Sequence, residues 1–226
     1  MRVINILHFT KKLNLFKTFF FNLHYFPFLT AIHLPFLIYK RTEIRKMCGK
    51  IIIEGPVRTG MVKIGFHRLG TQDLLYSRTI WDVSGTFVVK GNACIGRGSK
   101  ISIGRDGILT LGENFTITGN TEIISQKSIS FGNNVLLSWD ILLMDTDFHH
   151  ILNDENKIIN PPQPITIGNH VWIGCRNTIL KGVTIADDNI ISANSIITKK
   201  ITETNCIIGG HGKNVDIIKR NVSWQI

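Results

Sequence analysis

Two histidines stand behind two carboxylates in the run Asp145-Thr146-Asp147-Phe148-His149-His150. Imidazole is the side chain best matched to taking a proton from a weak nucleophile at neutral pH. A neighbouring carboxylate can hold its tautomer, so the run reads as a general base with an orienting acid, and either Asp145 or Asp147 could serve. The same Asp-x-Asp could bind a nucleotide-sugar metal, but such enzymes need alternating strands and helices, and none are patterned here. A zinc centre needs three converging histidines, whereas His149 and His150 are adjacent and His170 and His211 lie elsewhere. Polar residues follow the run, then Pro161-Pro162-Gln163-Pro164. Prolines and charges cannot continue a sheet, so residues 145–164 are expected to leave the regular structure as a loop, where reacting groups are commonly carried.

The elements that position this loop show in the isoleucines after it. Ile167, Ile173, Ile179, Ile185, Ile191 and Ile197 recur every six residues, mostly followed by a small residue: Gly168, Gly174, Ala186, Ser192, Thr198. A helical period of 3.6 would carry such a ladder around every face. Simple strand alternation leaves the small residues unexplained. Short strands that turn a corner every six residues explain both, and three of them close one coil of a solenoid. Before the loop, Ile95-Gly96, Ile103-Gly104 and Leu111-Gly112 lie eight apart, and steps of six return through Ile117, Ile123 and Ile129. The ladder then shifts by two to Phe131, Leu137 and Leu143, so the repeats flank one interruption.

Over about residues 85–215 this sequence resembles the hexapeptide-repeat acyltransferases, and within them the sugar O-acetyltransferases of bacterial surface-polysaccharide synthesis. The most specific part is the join of Asp-x-Asp-x-His, a proline-bearing loop, and Ile-x-Ile-Gly-Asn-x-Val-Trp-Ile-Gly at Ile165–Gly174. The resemblance implies an all-β left-handed parallel β-helix, a three-sided solenoid with an ejected catalytic loop. It also implies a homotrimer with active sites between subunits, acetyl-coenzyme A as co-substrate, no metal, and a saccharide acceptor. By that resemblance His149 is the base, His150 the second choice and Asp147 the orienting acid. Trp172 would line the cofactor groove, and Gly174, Cys175, Ser192 and Ala193 would lie along the pantetheine chain. Lys199 and Lys213 would meet the phosphates, although Gly209-Gly210-His211-Gly212-Lys213 lacks the proline of the matching family element. A sugar amine as acceptor, a zinc enzyme or a silent binding solenoid on this scaffold are the alternatives.

The net charge of +10 is uneven: residues 1–46 hold eight Lys/Arg and one Glu, leaving only +3 to the rest. That distribution excludes a nucleic-acid stripe across the body. Thr18 to Tyr39 holds no charged side chain, yet Asn22, Pro27 and Pro35 interrupt it. Residues 1–48 are therefore expected to cap the solenoid's open end or to touch a membrane surface, with residues 49–215 as the β-helix and 216–226 as a closing segment. Four scattered cysteines without a Cys-x-x-Cys pair read as thiols of a reducing compartment. The expected location is cytoplasmic, extending to the inner face of the cytoplasmic membrane.

Overall fold

The computed structural model describes residues 12–73 and 75–225; residues 1–11, with Arg2 and Lys11 of the basic segment, lie outside these. The architecture follows from the ladder. Strands of two to five residues stack in parallel into three sheets, the first, second and third faces of a prism in the order the chain meets them in each coil, and all ladder isoleucines point inward and are buried. Ile167 pairs with Ile185, Ile173 with Ile191 and Ile179 with Ile197, so a regular coil closes in eighteen residues. Two positions before each ladder isoleucine the side chain is also buried: Ile165, Val171, Asn177, Val183, Asn189 and Ser195. The two asparagines are satisfied at the corners, Asn177 Nδ2 donating to Gly174 O at 2.8 Å and Asn189 Nδ2 to Ala186 O at 3.0 Å.

The corners explain the small residues. A Cβ on Gly174 would stand 2.8 Å from Ile191 O in the next coil, so the stacking itself requires glycine there. At the corner between the first and second faces, Asn120, Asp140, Arg176 and Asn194 adopt φ between 47° and 60°, a region that asparagine and aspartate tolerate better than most residues.

The prism begins earlier than residue 49. Its first coil consists of β1 (Phe36–Ile38), β2 (Thr42–Lys46) and β3 (Lys50–Ile53), each paired in parallel with a strand of the second coil. The expected boundary at residue 48 thus falls inside a coil. The charged outward side chains of β2 and a segment of residues 65–78 inside the second coil, between Val62–Ile64 and Thr79–Val83, hide the repeat. Before β1, α1 (Leu15–Tyr25) lies across the open end, with Asn14 accepting from Lys17 N, and a single turn, α2 (Phe28–Ala31), follows. Phe21 packs on Phe36 and Trp81 with ring centroids 5.4 Å apart. At the other end Asp216–Arg220 pairs antiparallel with Cys206–Gly209, which covers the last edge. All four cysteines are free.

Candidate active site

The loop leaves at the corner between the second and third faces, directly after the strand Leu142–Met144. Its two carboxylates do different work from that expected. Asp145 is fully buried and accepts from Gln126 N at 2.7 Å, Lys127 N at 2.9 Å, Ser128 N at 2.7 Å and Ser125 Oγ at 3.0 Å. It caps the corner of the preceding coil and has no capacity left for an imidazole. Gln163 N donates to Asp145 O at 3.0 Å, so the loop's two ends meet at this residue.

Asp147 is exposed, yet its carboxylate is held by Lys181 Nζ and by Asn160 Nδ2, the latter at 2.8 Å. The Lys181 hydrogen bond, then that of Asn160, pulls its pKa below the usual carboxylate range. Asn160 Nδ2 also donates to His149 O at 2.8 Å, and Asn160 Oδ1 accepts from Ile151 N at 2.6 Å. The expected Asp147–imidazole pairing is therefore replaced by an anchor, because Lys181 stands one coil on at the matching corner. Its position follows from the register Leu143 with Ile179 and Met144 with Leu180. Asn160 and Lys181 are the residues that motif reading passed over; that register is the signal that could have found Lys181.

Beyond the anchor the chain makes a tight turn, His149 N donating to Asp147 O at 2.7 Å, with Phe148 at φ 60°. His149 and His150 are both exposed, and neither ring has a hydrogen-bond or ion-pair partner among the described residues. A small hairpin follows, bridged at Leu152 and Ile158. It presents Phe148, Ile151, Leu152 and Ile159 to solvent.

Five of the groove candidates, Trp172, Gly174, Cys175, Ser192 and Ala193, gather elsewhere. Trp172 lies on the first face, and Gly174, Cys175, Ser192 and Ala193 stack at the corner between the first and second faces. The indole N–H of Trp172 donates to Ser138 Oγ at 3.1 Å, and Trp224 of the closing segment packs beside it with centroids 6.0 Å apart. Trp224 also stacks on His170, whose Nδ1 lies 2.8 Å from Asp188. Trp172 is thus half-buried within the chain. Corner N–H groups are mostly engaged between coils, as Gly174 N to Ile191 O and Ser192 N to Ile208 O, both 2.8 Å. Those of Cys175 and Ala193 have no acceptor among the described residues. Lys199 is exposed at the second-to-third corner, and Lys213 follows Gly212, which lies beside Thr198. Among the described residues no cluster of three metal-ligating side chains occurs.

Within one chain, then, the loop histidines follow the C-terminal ends of second-face strands, while the Gly174–Ala193 corner precedes their N-terminal ends. The prism's second face separates the two groups.

Fold and corner chemistry define a hexapeptide-repeat solenoid, the left-handed parallel β-helix. Residues 164–199 match the family model of the bacterial transferase hexapeptide (six repeats). The chain is 40% identical over 106 residues to the galactoside O-acetyltransferase of Escherichia coli (strain K12), a match covering 46% of this chain and 47% of that one. To the polysialic acid O-acetyltransferase of Escherichia coli O1:K1 / APEC it is 32% identical over 138 residues, 60% of this chain and 41% of that one. The chain therefore spans about half or less of the length of these two relatives. The solved polysialic-acid-specific acetyltransferase NeuO shares the fold, with a TM-score of 0.61 at 21% identity over 85% of this chain and 89% of that one.

Proposed function

We propose that this protein transfers an acetyl group from acetyl-coenzyme A to a saccharide hydroxyl, with His149 as general base and each active site formed between two copies in a trimer. One observation carries the reading: an unpartnered imidazole on a doubly anchored loop, joined directly to repeats related to sugar O-acetyltransferases. As the acceptor oxygen attacks the thioester carbonyl, His149 takes its proton. The C–O bond forms, the tetrahedral oxyanion collapses with cleavage of the C–S bond, and the imidazolium returns the proton to the leaving thiolate. Donors aimed at such an oxyanion lower the barrier, and the free N–H groups of Cys175 and Ala193 are the candidates. The residues present suit the co-substrate: small side chains at Cys175, Ser192 and Ala193 leave the corner open, and Lys199 and Lys213 offer cations for phosphates. The apolar hairpin and the separation of loop from corner both support a site completed by a neighbouring copy.

The finer reading places the acceptor on a lipid carrier at the inner face of the cytoplasmic membrane, supported by the aromatic, basic N-terminal segment. Thiol release from acetyl-coenzyme A in the presence of saccharide acceptors tests the activity. His149→Ala is expected to lower kcat about 10²–10⁴-fold, the usual contribution of a general base. Full activity in His149→Ala together with loss in His150→Ala would move the base one residue on. No thiol release from the native protein with any saccharide acceptor would sink the reading.

A further inference from the structure

The helix that covers the prism's open end shows an apolar outer side, against the pattern expected of a protein surrounded by water. Its polar residues face the prism: Thr18 Oγ1 accepts from Ile38 N at 3.0 Å, while Asn22 accepts from Phe36 N at 3.1 Å and donates to Phe36 O at 2.8 Å. Those bonds satisfy the edge of β1. Apart from Phe21 and Tyr25, which pack inward, its apolar residues face outward: Leu15, Phe16, Phe19, Phe20 and Leu23 are all exposed, Phe16 to 82%, and Leu29 within α2 to 75%. A capping helix normally shows its polar face to solvent, and a contiguous aromatic patch of this kind marks a contact surface. No described residue covers it.

Lys17 stands inside this patch and turns back, its Nζ donating to Thr42 O at 2.7 Å. It thereby enters an open recess lined also by Lys40, Arg41 and Arg78, with Glu43 as the one carboxylate there. Glu43 is already engaged by Arg45 at 2.9 Å and Arg78 at 3.2 Å. An aromatic face continuous with a cationic recess fits one kind of partner, a bilayer surface carrying anionic head groups.

We infer that the first-coil end of the prism docks on an anionic lipid surface, the outer face of α1 lying at the boundary of head groups and acyl chains and the recess receiving head-group phosphate. At 11 residues the helix reaches only about 16 Å, far short of the roughly 30 Å hydrocarbon core, so it lies along the surface; no helix among the described residues is long and apolar enough to cross a membrane. The second-face strands stack in the order β2, Thr79–Val83, Lys100–Ile103, Glu122–Ser125, Leu142–Met144. Four steps of about 4.8 Å set the root of the His149 loop roughly 19 Å beyond the first coil. This deepens the membrane-face part of the proposed function, and it stands or falls without the acetyl transfer.

Flotation of the full chain with lipid vesicles tests it. The native protein is expected to float with vesicles containing phosphatidylglycerol, much less with phosphatidylcholine alone, and less at high salt. A Phe16→Ser/Phe19→Ser/Phe20→Ser protein is expected to stay behind while keeping its melting temperature and oligomer size. Lys40→Gln/Arg78→Gln should weaken partitioning by about an order of magnitude or more, each cation near such a surface contributing about fivefold. Flotation of the triple serine protein at the native level would overturn the inference. So would a native protein that floats with neither vesicle, or a serine protein that changes oligomer size, which would assign the face to a second copy. Acetyl transfer to a soluble acceptor, measured on the same samples, reports separately on the enzymatic reading.

Discussion

Asp145 and Asp147 sit two positions apart in one motif and serve opposite ends of the loop's design. Asp145 accepts three backbone N–H groups from the coil below, so Asp145→Ala strands three backbone donors at one half-buried corner. A loss of about 3 kcal/mol or more is expected in denaturant unfolding, since charge-assisted bonds contribute about 1.5–3 kcal/mol each. Asp147 ties the exposed part of the loop to Lys181 and Asn160. Lys181→Met should leave the melting temperature nearly unchanged and lower kcat, because only the aim of His149 is disturbed. The tie depends on pH with a definite sign. The folded chain holds Asp147 below its ordinary range, so the tie is complete at neutral pH and is lost as acid carries the solution down through that lowered value. Loop protection from proteolysis should fall in the same window, and Lys181→Met should shrink the effect, leaving the smaller share of Asn160. The histidines were legible as candidates from residue type alone. The partners of Asp147 were not, because a carboxylate's neighbours are set by coil register, which places Lys181 beside it from 34 positions away.

Among the elements, legibility tracked regularity. From Ile165 to Ile197 every corner has the same length, so side-chain type and position repeat together and the fold can be read directly. The first coils share the architecture without the repeat: β1 pairs with Val62–Ile64 across the excursion of β2 and β3, and residues 65–78 then intervene. Aromatic packing of Phe21, Phe36, Trp81 and Phe87 replaces the isoleucine stack there, and aromatics carry no sixfold signature. The ladder positions carry the stability. Ile179→Ala, at a fully buried site, is expected to cost about 2–5 kcal/mol in denaturant unfolding. Leu180→Ala, one residue on and facing outward, should cost well under half of that. A substitution of Gly174 by valine should also destabilise strongly, since even a Cβ there meets Ile191 O and Ala193 N.

On the scale of the whole molecule, the loop and the Gly174–Ala193 corner stand at opposite ends of the second-face strands, so under the proposed reading each copy lends one half of every site. Mixing tests this. A His149→Ala protein lacks the base, and an Ala193→Trp protein has its open corner filled. Each alone should be inactive, yet subunits dissociated, mixed and reassembled should recover activity at about a quarter of the sites in a random mixture. Recovery requires sites shared between copies; no recovery from verified mixed assemblies would place base and corner in one chain. The eighteen-residue coil has a further consequence, for the lengths this chain can take. Excising residues 168–185 would remove one full circuit and leave every later isoleucine on its own face. Excising six would keep every later isoleucine inward but move each later strand to the preceding face, taking Ser192 and Ala193 away from the corner between the first and second faces. Such a prism can grow or shrink with its faces kept only by whole circuits or at its corners, and the segments 65–78 and 145–164 both sit at corners.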